Sequence, residues 1–125
     1  MKISVIILSY NRVNDTLKLL TSLEKQNYKN FEIILVDNNS TDDTVKRVKK
    51  SFSNVNCVEL KHNLGVPGGR NEGIKNACGE YIVFIDNDAE VGPFFLERIN
   101  STFTKETRAG ILAFRITNYY TKEID

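Results

Sequence analysis

The sequence predicts an α/β fold, a three-layer sandwich in which helices cover both faces of a mostly parallel central sheet. Two patterns lead to this prediction. Short, β-branched apolar runs recur along the chain, and the segments between them carry apolar residues at helical spacing. Strands that alternate with helices are typical of βαβ units, whose strands are parallel and whose crossovers are right-handed. With 125 residues and no linker or internal repeat, the chain is expected to form one domain over residues 1–125.

The first strand and the first helix follow directly from these patterns. Residues 3–8 form a nearly continuous apolar run, as expected of a strand that is buried on both faces. Residues 15–26 carry leucines spaced by three, which places them in one stripe along a helix. Asn14 or Asp15 is expected to cap the amino end of that helix.

The same alternation continues through the middle of the chain. Residues 31–36 and 55–60 are predicted to be the second and third strands. Between them, Ser40 or Thr41 is expected to cap a helix. The two aspartates that follow Thr41 suit the positive end of the helix dipole.

The second half of the chain is predicted to add two strands and two helices. Residues 65–73 are expected to form a glycine-rich loop that leads into a helix, with Gly79 as its stop. Residues 81–85 form a short apolar run, which predicts a buried fourth strand. Pro93 is expected to open the last helix, and residues 109–114 are predicted to form a fifth strand.

Composition excludes several classes of protein. The 17 basic residues nearly cancel the 16 acidic ones, which argues against a dedicated nucleic-acid binder. Cys57 and Cys78 lie far apart without metal-ligand spacing, so buried free thiols in a reducing compartment are expected. No apolar stretch reaches membrane-spanning length. The sequence therefore favours a cytoplasmic protein, and it leaves peripheral contact with the inner face of the membrane open.

Two carboxylates follow the predicted fourth strand, one residue apart. Asp86 and Asp88 come directly after an apolar run, where an unpaired charge would be costly to remove from water. Residues two apart in an extended segment point to the same side, so both carboxylates can face one ligand. A hard divalent cation shared with a phosphate would satisfy them. The alternative is a pair of side chains that only form a turn at the strand end.

Other polar residues are expected near these carboxylates. Ligands of an open parallel sheet bind beyond the carboxyl ends of its strands, and the first and second strands end in polar segments. Tyr10 offers a flat face on which a nucleobase can stack. Asp37 can accept a hydrogen bond from a base, although starting a turn or capping a helix is an equally good interpretation. If the first, second and fourth strands are neighbours, these groups line one crevice.

Arg70 lies within the glycine-rich segment. Its spacing matches neither the dinucleotide fingerprint nor the P-loop. Glycines there can permit close approach of the backbone to a ligand, and Arg70 would bring a permanent cation to a diphosphate or a base. A loop that merely needs positive φ angles explains the glycines as well.

Four segments together resemble the nucleotide-binding half of family 2 glycosyltransferases with the GT-A (Rossmann-like) fold. The order and spacing of the segments agree with the family, and the likeness covers nearly the whole chain. Rhamnosyltransferase-like members are closest in motif form. The segments are residues 5–12, 36–42, 63–71 and 84–88, the last of which has the form of a DXD motif.

The resemblance implies a role for each site residue. Ser9, Tyr10 and Asn11 would hold the uracil or thymine and its ribose. Asp37 would share that role, and Arg70 would contact the base or the diphosphate. Asp86 would lie by the ribose and the metal, and Asp88 would bind the Mg²⁺ or Mn²⁺ that bridges the two phosphates.

The resemblance also implies a reaction. The donor would be a UDP- or dTDP-linked sugar, the acceptor a polysaccharide or other glycan, and the anomeric centre would be inverted. The metal would neutralise charge on the departing nucleoside diphosphate. Family members carry their catalytic base and acceptor-binding region in a later half. The 125 residues are therefore expected to be the donor-binding portion, with the base beyond the end of this chain.

Other functions stay open on the sequence alone. The chain could be a non-catalytic nucleotide-binding module, or a truncated half that needs a partner chain. An edge strand left bare by a missing half would favour a homodimer. A nucleotidyltransferase is the least favoured alternative, because its glycine-rich loop usually follows the first strand, where this chain has residues 9–12.

Overall fold

The computed structural model describes residues 1–118 and 120–123, and it has the predicted α/β architecture. Strands and helices alternate strictly along the chain. The elements are β1 (Ile3–Ser9), α1 (Val13–Glu24), β2 (Phe31–Asp37), α2 (Thr44–Ser51), β3 (Asn56–Glu59), α3 (Gly65–Asn76), β4 (Tyr81–Asp86) and α4 (Phe95–Lys105).

The four strands form one parallel sheet in the order β3-β2-β1-β4. The parallel register sets Ser9 of β1 beside Asp37 of β2, and Leu8 of β1 beside Asp86 of β4. The carboxyl ends of β1, β2 and β4 therefore lie side by side. This confirms the expectation that the first, second and fourth strands are neighbours.

Helices cover both faces of the sheet, as predicted. The larger core lies under α1, α2 and α4, where Leu20, Val48 and Leu96 pack against β1 residues such as Val5. A smaller apolar cluster lies under α3. Its buried members are Ile6, Ile34 and Val36. Among the described residues, each helix is too short or too polar to cross a lipid bilayer.

The glycine-rich segment is a helix, and the prediction of a loop over residues 65–73 was wrong. It forms most of α3, and Gly65 is its one residue with positive φ. A Cβ atom on Gly69 would lie 2.2 Å from Leu8 Cδ1, and one on Gly73 would lie 2.5 Å from Ile6 Cγ2. The glycines therefore let the helix backbone approach β1 more closely than any side chain would allow.

The predicted helix caps were also wrong. Helix α1 begins at Val13, after Arg12 in the left-handed conformation, so Asn14 and Asp15 lie inside the helix. Helix α2 begins at Thr44. Ser40 and Thr41 do not cap it, because both are hydrogen-bonded to groups at the ends of β1 and β2 instead.

The end of the chain departs most from the prediction. Residues 109–114 form no strand, which leaves β4 at the edge of the described sheet. Ile82 and Phe84 are each 40% exposed, so β4 is not buried on both faces as expected. Helix α4 begins after Pro93 rather than at it. An apolar run becomes a strand only where a neighbouring edge accepts it, and Phe114 instead packs against a ring of α4, 5.0 Å between centroids.

A buried glutamine joins α1 to the segment before α4. Gln26 is fully buried and donates through Nε2 to the carbonyl oxygens of Ser22 (3.2 Å) and Gly92 (2.7 Å). Its Oε1 accepts a hydrogen bond from the backbone N–H of Leu96 at 3.0 Å. One side chain thus satisfies backbone groups that the packing has removed from water.

We predict that Gln26→Leu destabilises the fold by about 2–4 kcal/mol, because a buried backbone donor and acceptor lose their partners while the volume hardly changes. Chemical denaturation measures this loss. Asn27→Ala is the matched control, since the Asn27 side chain makes one exposed hydrogen bond to Glu97. Equal effects of the two variants would contradict the role given to Gln26.

A carboxylate ties three segments together at the amino end of the sheet. Glu32 Oε1 accepts hydrogen bonds from Ser4 Oγ (2.6 Å) and from the backbone N–H of Cys78 (2.8 Å), and Lys2 Nζ lies 3.7 Å from Oε2. Burial by itself would raise the pKa of Glu32, but these hydrogen bonds and the lysine lower it to about 2.

Both cysteines are free thiols, and neither is buried as expected: Cys78 is exposed and Cys57 is half-buried.

The lowered pKa of Glu32 predicts a loss of stability in acid. The stabilisation is complete above the ordinary pKa of 4.5, and it falls as the pH drops from there towards about 2, because the carboxylate must then bind a proton. Urea unfolding at a series of pH values should show a shallower acid dependence for Glu32→Gln than for the wild type. Glu106→Gln, which removes an exposed carboxylate at the end of α4, should leave the slope of the wild type.

Candidate functional site

A cleft of about 460 Å³ lies at the carboxyl end of the sheet. It is bounded by the connection after β1, the end of β2, the first half of α3 and the end of β4. Its polar or charged lining residues are Tyr10, Arg12, Asn38, Asn63, Arg70, Asp86, Asn87 and Asp88. The sheet therefore brings side chains from four distant segments to one place.

Asp86 and Asp88 both line this cleft. Asp86 is the last residue of β4, and a turn closed by the N–H of Ala89 and the carbonyl of Asp86 (3.0 Å) carries Asp88. Their side chains are 79% and 55% exposed, respectively. Two accessible carboxylates thus lie at the open end of the sheet, where a ligand can reach them.

An arginine lies beside each of these carboxylates. Arg70 Nη2 is 3.7 Å from Asp86 Oδ1, and Arg12 Nη1 is 3.6 Å from Asp88 Oδ2. Arg70 reaches the cleft from α3, and its guanidinium lies over the ring of Phe84, 5.1 Å from the ring centroid. The cleft therefore contains two cations and two anions in two pairs, which suits a ligand that carries negative charge and a bound cation.

Tyr10 and Asn11 occupy different environments. The half-exposed ring of Tyr10 lines the cleft. Asn11 donates its backbone N–H to Ser40 Oγ (2.8 Å), and its Oδ1 accepts from the backbone N–H of Thr41 (2.9 Å). The Asn11 side chain thus joins the ends of β1 and β2, and it is not among the residues that line the cleft.

Asp37 and Ser9 lie deeper than the sequence suggested. Asp37 is 4% exposed, and it accepts hydrogen bonds from the backbone N–H of Ser40 (2.9 Å) and from Ser40 Oγ. It borders a second, more open cavity of about 720 Å³ beside α2, rather than the cleft. Ser9 is buried, and its Oγ has no hydrogen-bond partner among the described residues. The turn interpretation accounts for the contacts of Asp37, and its role toward a nucleotide stays a prediction.

Four polar residues of the cleft were not among the predicted site residues: Arg12, Asn38, Asn63 and Asn87. Asn38 is almost fully buried; its Oδ1 accepts from the N–H of Leu64 (3.0 Å), and its Nδ2 donates to the carbonyl of Gly65 (3.1 Å). It holds the start of α3 against the end of β2. Arg12 stands in the polar segment after β1, which was the one sequence signal that could have identified it.

The residues that could hold a divalent cation are Asp86 and Asp88. No set of three or more histidine, cysteine, aspartate or glutamate side chains forms a metal site in the described residues. Mg²⁺ and Mn²⁺ take hard oxygen ligands, and Mg²⁺ is usually held by one or two carboxylates together with phosphate oxygens and water. Two exposed carboxylates in an open cleft fit that kind of site.

The chain is similar to several proteins that transfer sugars. A poly(ribitol-phosphate) β-glucosyltransferase of Bacillus spizizenii is 41% identical over 117 residues, which cover 89% of this chain and 18% of that protein. The solved structure of residues 1–349 of Staphylococcus aureus TarS, a poly(ribitol-phosphate) β-N-acetylglucosaminyltransferase, matches with a TM-score of 0.79 and 35% identity. That match covers 86% of this chain and 33% of the TarS chain.

A more distant match has both a nucleotide sugar and a metal bound. The mannosyltransferase PcManGT of Pyrobaculum calidifontis, in complex with GDP-Man and Mn²⁺, has a TM-score of 0.65 and 28% identity. The match covers 70% of this chain and 28% of that one.

The matches cover most of this chain and a small part of each relative. The chain spans 18% of the length of the Bacillus protein. The family model described as glycosyl transferase family 2 matches residues 4–123. With the parallel α/β sheet and the similarity to TarS, this match shows that the chain belongs to glycosyl transferase family 2 and has its GT-A, Rossmann-like fold.

Proposed function

We propose that this chain is the donor-binding portion of a glycosyltransferase that moves a sugar from a UDP- or dTDP-linked donor to a polysaccharide or other glycan, with inversion at the anomeric carbon. The observation that carries the proposal is the shared cleft of Asp86 and Asp88, with Tyr10 and Arg70 on its walls. A nucleoside diphosphate with its cation needs carboxylates that bind the cation, a guanidinium that binds the phosphates and an aromatic face on which the base stacks.

Two similar proteins support a nucleotide-sugar donor. TarS has been solved in complex with UDP and with UDP-GlcNAc, at 34% identity to this chain in both cases. PcManGT has been solved with GDP-Man and Mn²⁺. Uracil is inferred from the closer similarity to TarS, thymine is kept from the family resemblance of the sequence, and Mg²⁺ or Mn²⁺ is inferred from the carboxylates of the cleft.

Each residue that the sequence predicted for the site has a part in the proposed mechanism. Asp86 and Asp88 would hold the divalent cation, which supplies Lewis-acid stabilisation of the departing nucleoside diphosphate when it is bound. Arg70 would bind the diphosphate or the base, and its position over Phe84 limits the directions in which its guanidinium can point. Tyr10 would stack on the base. Ser9, Asn11 and Asp37 are proposed to shape the base and ribose pocket behind it.

Within the part of the chain that the structure describes, the cleft has no carboxylate left for the acceptor. Asp86 and Asp88 are the acidic residues among those that line it, and both are assigned to the cation. An inverting transfer needs a further base to take the proton of the acceptor hydroxyl. We propose that this base comes from outside the described cleft, so that the 125 residues bind donor without transferring its sugar. A cytoplasmic location, contact with the inner face of the membrane and a homodimer stay predictions.

The proposal predicts metal-dependent nucleotide binding. UDP or dTDP should bind at least about tenfold more tightly with Mn²⁺ than with a chelator, and Asp88→Asn should remove that difference, because a metal–phosphate bridge loses a charged ligand. Isothermal titration calorimetry on the wild type and the variant measures both effects. Glu24→Gln, which neutralises an exposed carboxylate at the end of α1, should behave as the wild type does.

Two results would contradict parts of this proposal. If the folded wild-type chain binds neither UDP nor dTDP in the presence of Mn²⁺, the proposed donor class is wrong. If the nucleotide binds equally tightly with Mn²⁺ and with the chelator, the proposed nucleotide site stands and the proposed metal site is wrong.

A further inference from the structure

The backbone at Arg12 is fixed in an uncommon conformation. Asn11 and Arg12 both have positive φ, 57° and 59°, which few residues other than glycine adopt. Asn11 is held by its hydrogen bonds to the segment after β2. The carbonyl oxygen of Arg12 accepts from the backbone N–H and from the Oγ1 of Thr16, each at 3.2 Å. The direction in which the Arg12 side chain leaves the backbone is therefore set by the fold.

That direction leads into the cleft. The Arg12 guanidinium lies between two carboxylates, with Nη1 at 3.6 Å from Asp88 Oδ2 and at 3.9 Å from Asp15 Oδ2. Both distances exceed those of a good hydrogen bond. The Arg12 side chain is 63% exposed, and ion pairs of this kind contribute little to stability. A purely structural role therefore does not explain why two residues in the left-handed conformation direct the Arg12 side chain to this position.

A diphosphate bound beside Asp88 would be a second binding partner for Arg12. A divalent cation and the Arg12 guanidinium are both positive, so they compete for the same Asp88 oxygens. A diphosphate held beside Asp88 offers Arg12 more negative charge than Asp88 does, and the planar guanidinium fits phosphate oxygens with two parallel hydrogen bonds. Arg70 lies by Asp86, so Arg12 and Arg70 approach the Asp86–Asp88 segment from different elements of the fold.

We propose that Arg12 is a diphosphate-binding residue of this site, which exchanges its contact with Asp88 for the phosphates of the bound donor. The inference rests on the proposed function, because it needs a nucleoside diphosphate in the cleft. Arg12 would make the site selective for diphosphates over nucleosides. It would also keep the affinity for a divalent cation low until a nucleotide arrives.

The test compares Arg12→Gln with the wild type by calorimetry, and by NMR titration where binding is weak. With Mn²⁺ present, the variant should bind UDP or dTDP about tenfold more weakly, the effect of one lost charge-assisted contact. Its affinity for uridine or thymidine should not change. Its affinity for Mn²⁺ without nucleotide should rise, because a competing cation has been removed. Arg12→Lys keeps the charge without the planar fork, so its affinity for the diphosphate should be intermediate.

A lower affinity for the diphosphate together with a higher affinity for Mn²⁺ separates this role from a structural one, because a damaged cleft would bind every ligand less well. Arg98→Gln, on the exposed face of α4, is the matched control and should match the wild type. An unchanged affinity for the diphosphate, an equal loss for the nucleoside, or weaker Mn²⁺ binding would overturn the role of Arg12. A wild-type chain that binds neither UDP nor dTDP would instead refute the proposed function itself, and this inference with it.

Discussion

The position of β1 between β2 and β4 is the constraint on which the site depends. Parallel pairing in this register brings Ser9 level with Asp37, and Leu8 level with Asp86. Because parallel strands end at the same edge of a sheet, the polar segments that follow them must meet there. Tyr10 and Asp88 are far apart in the sequence, yet they line one cleft for this reason. The pairing of the apolar strands thus positions the polar side chains that line the cleft.

The second wall of the cleft depends on close packing of α3. Gly69 and Gly73 face β1 with no room for a side chain, so the helix lies low against the sheet. Asn38 joins the start of the same helix to the end of β2. Together these contacts determine where Arg70 stands relative to Asp86. The glycine pattern therefore acts mainly through packing, and the proposed affinity for an anion would come from the cation that it positions.

Charge is balanced within the cleft as well as across the whole protein. The net charge of the chain is +1, which gives no general attraction for an anionic ligand. Two arginines and two aspartates instead lie within about 4 Å of one another in pairs. In an arrangement of this kind, each guanidinium can exchange its carboxylate partner for a phosphate at small electrostatic cost. The proposed specificity for a diphosphate would then depend on geometry more than on total charge.

The sequence by itself determined the α/β alternation, the parallel sheet and the pair of aspartates after the fourth strand, because apolar periodicity and residue order are local properties. Tertiary structure decided which polar groups remain accessible: Asn11 and Asp37 bond to neighbouring turns, whereas Arg12 enters the cleft. It also turned the glycine-rich segment into a helix and left residues 109–114 without a strand. Asp37 bonds to Ser40, three residues further on, but the partner of Asn11 and the sheet neighbours come from distant parts of the chain, so only the assembled fold could select them.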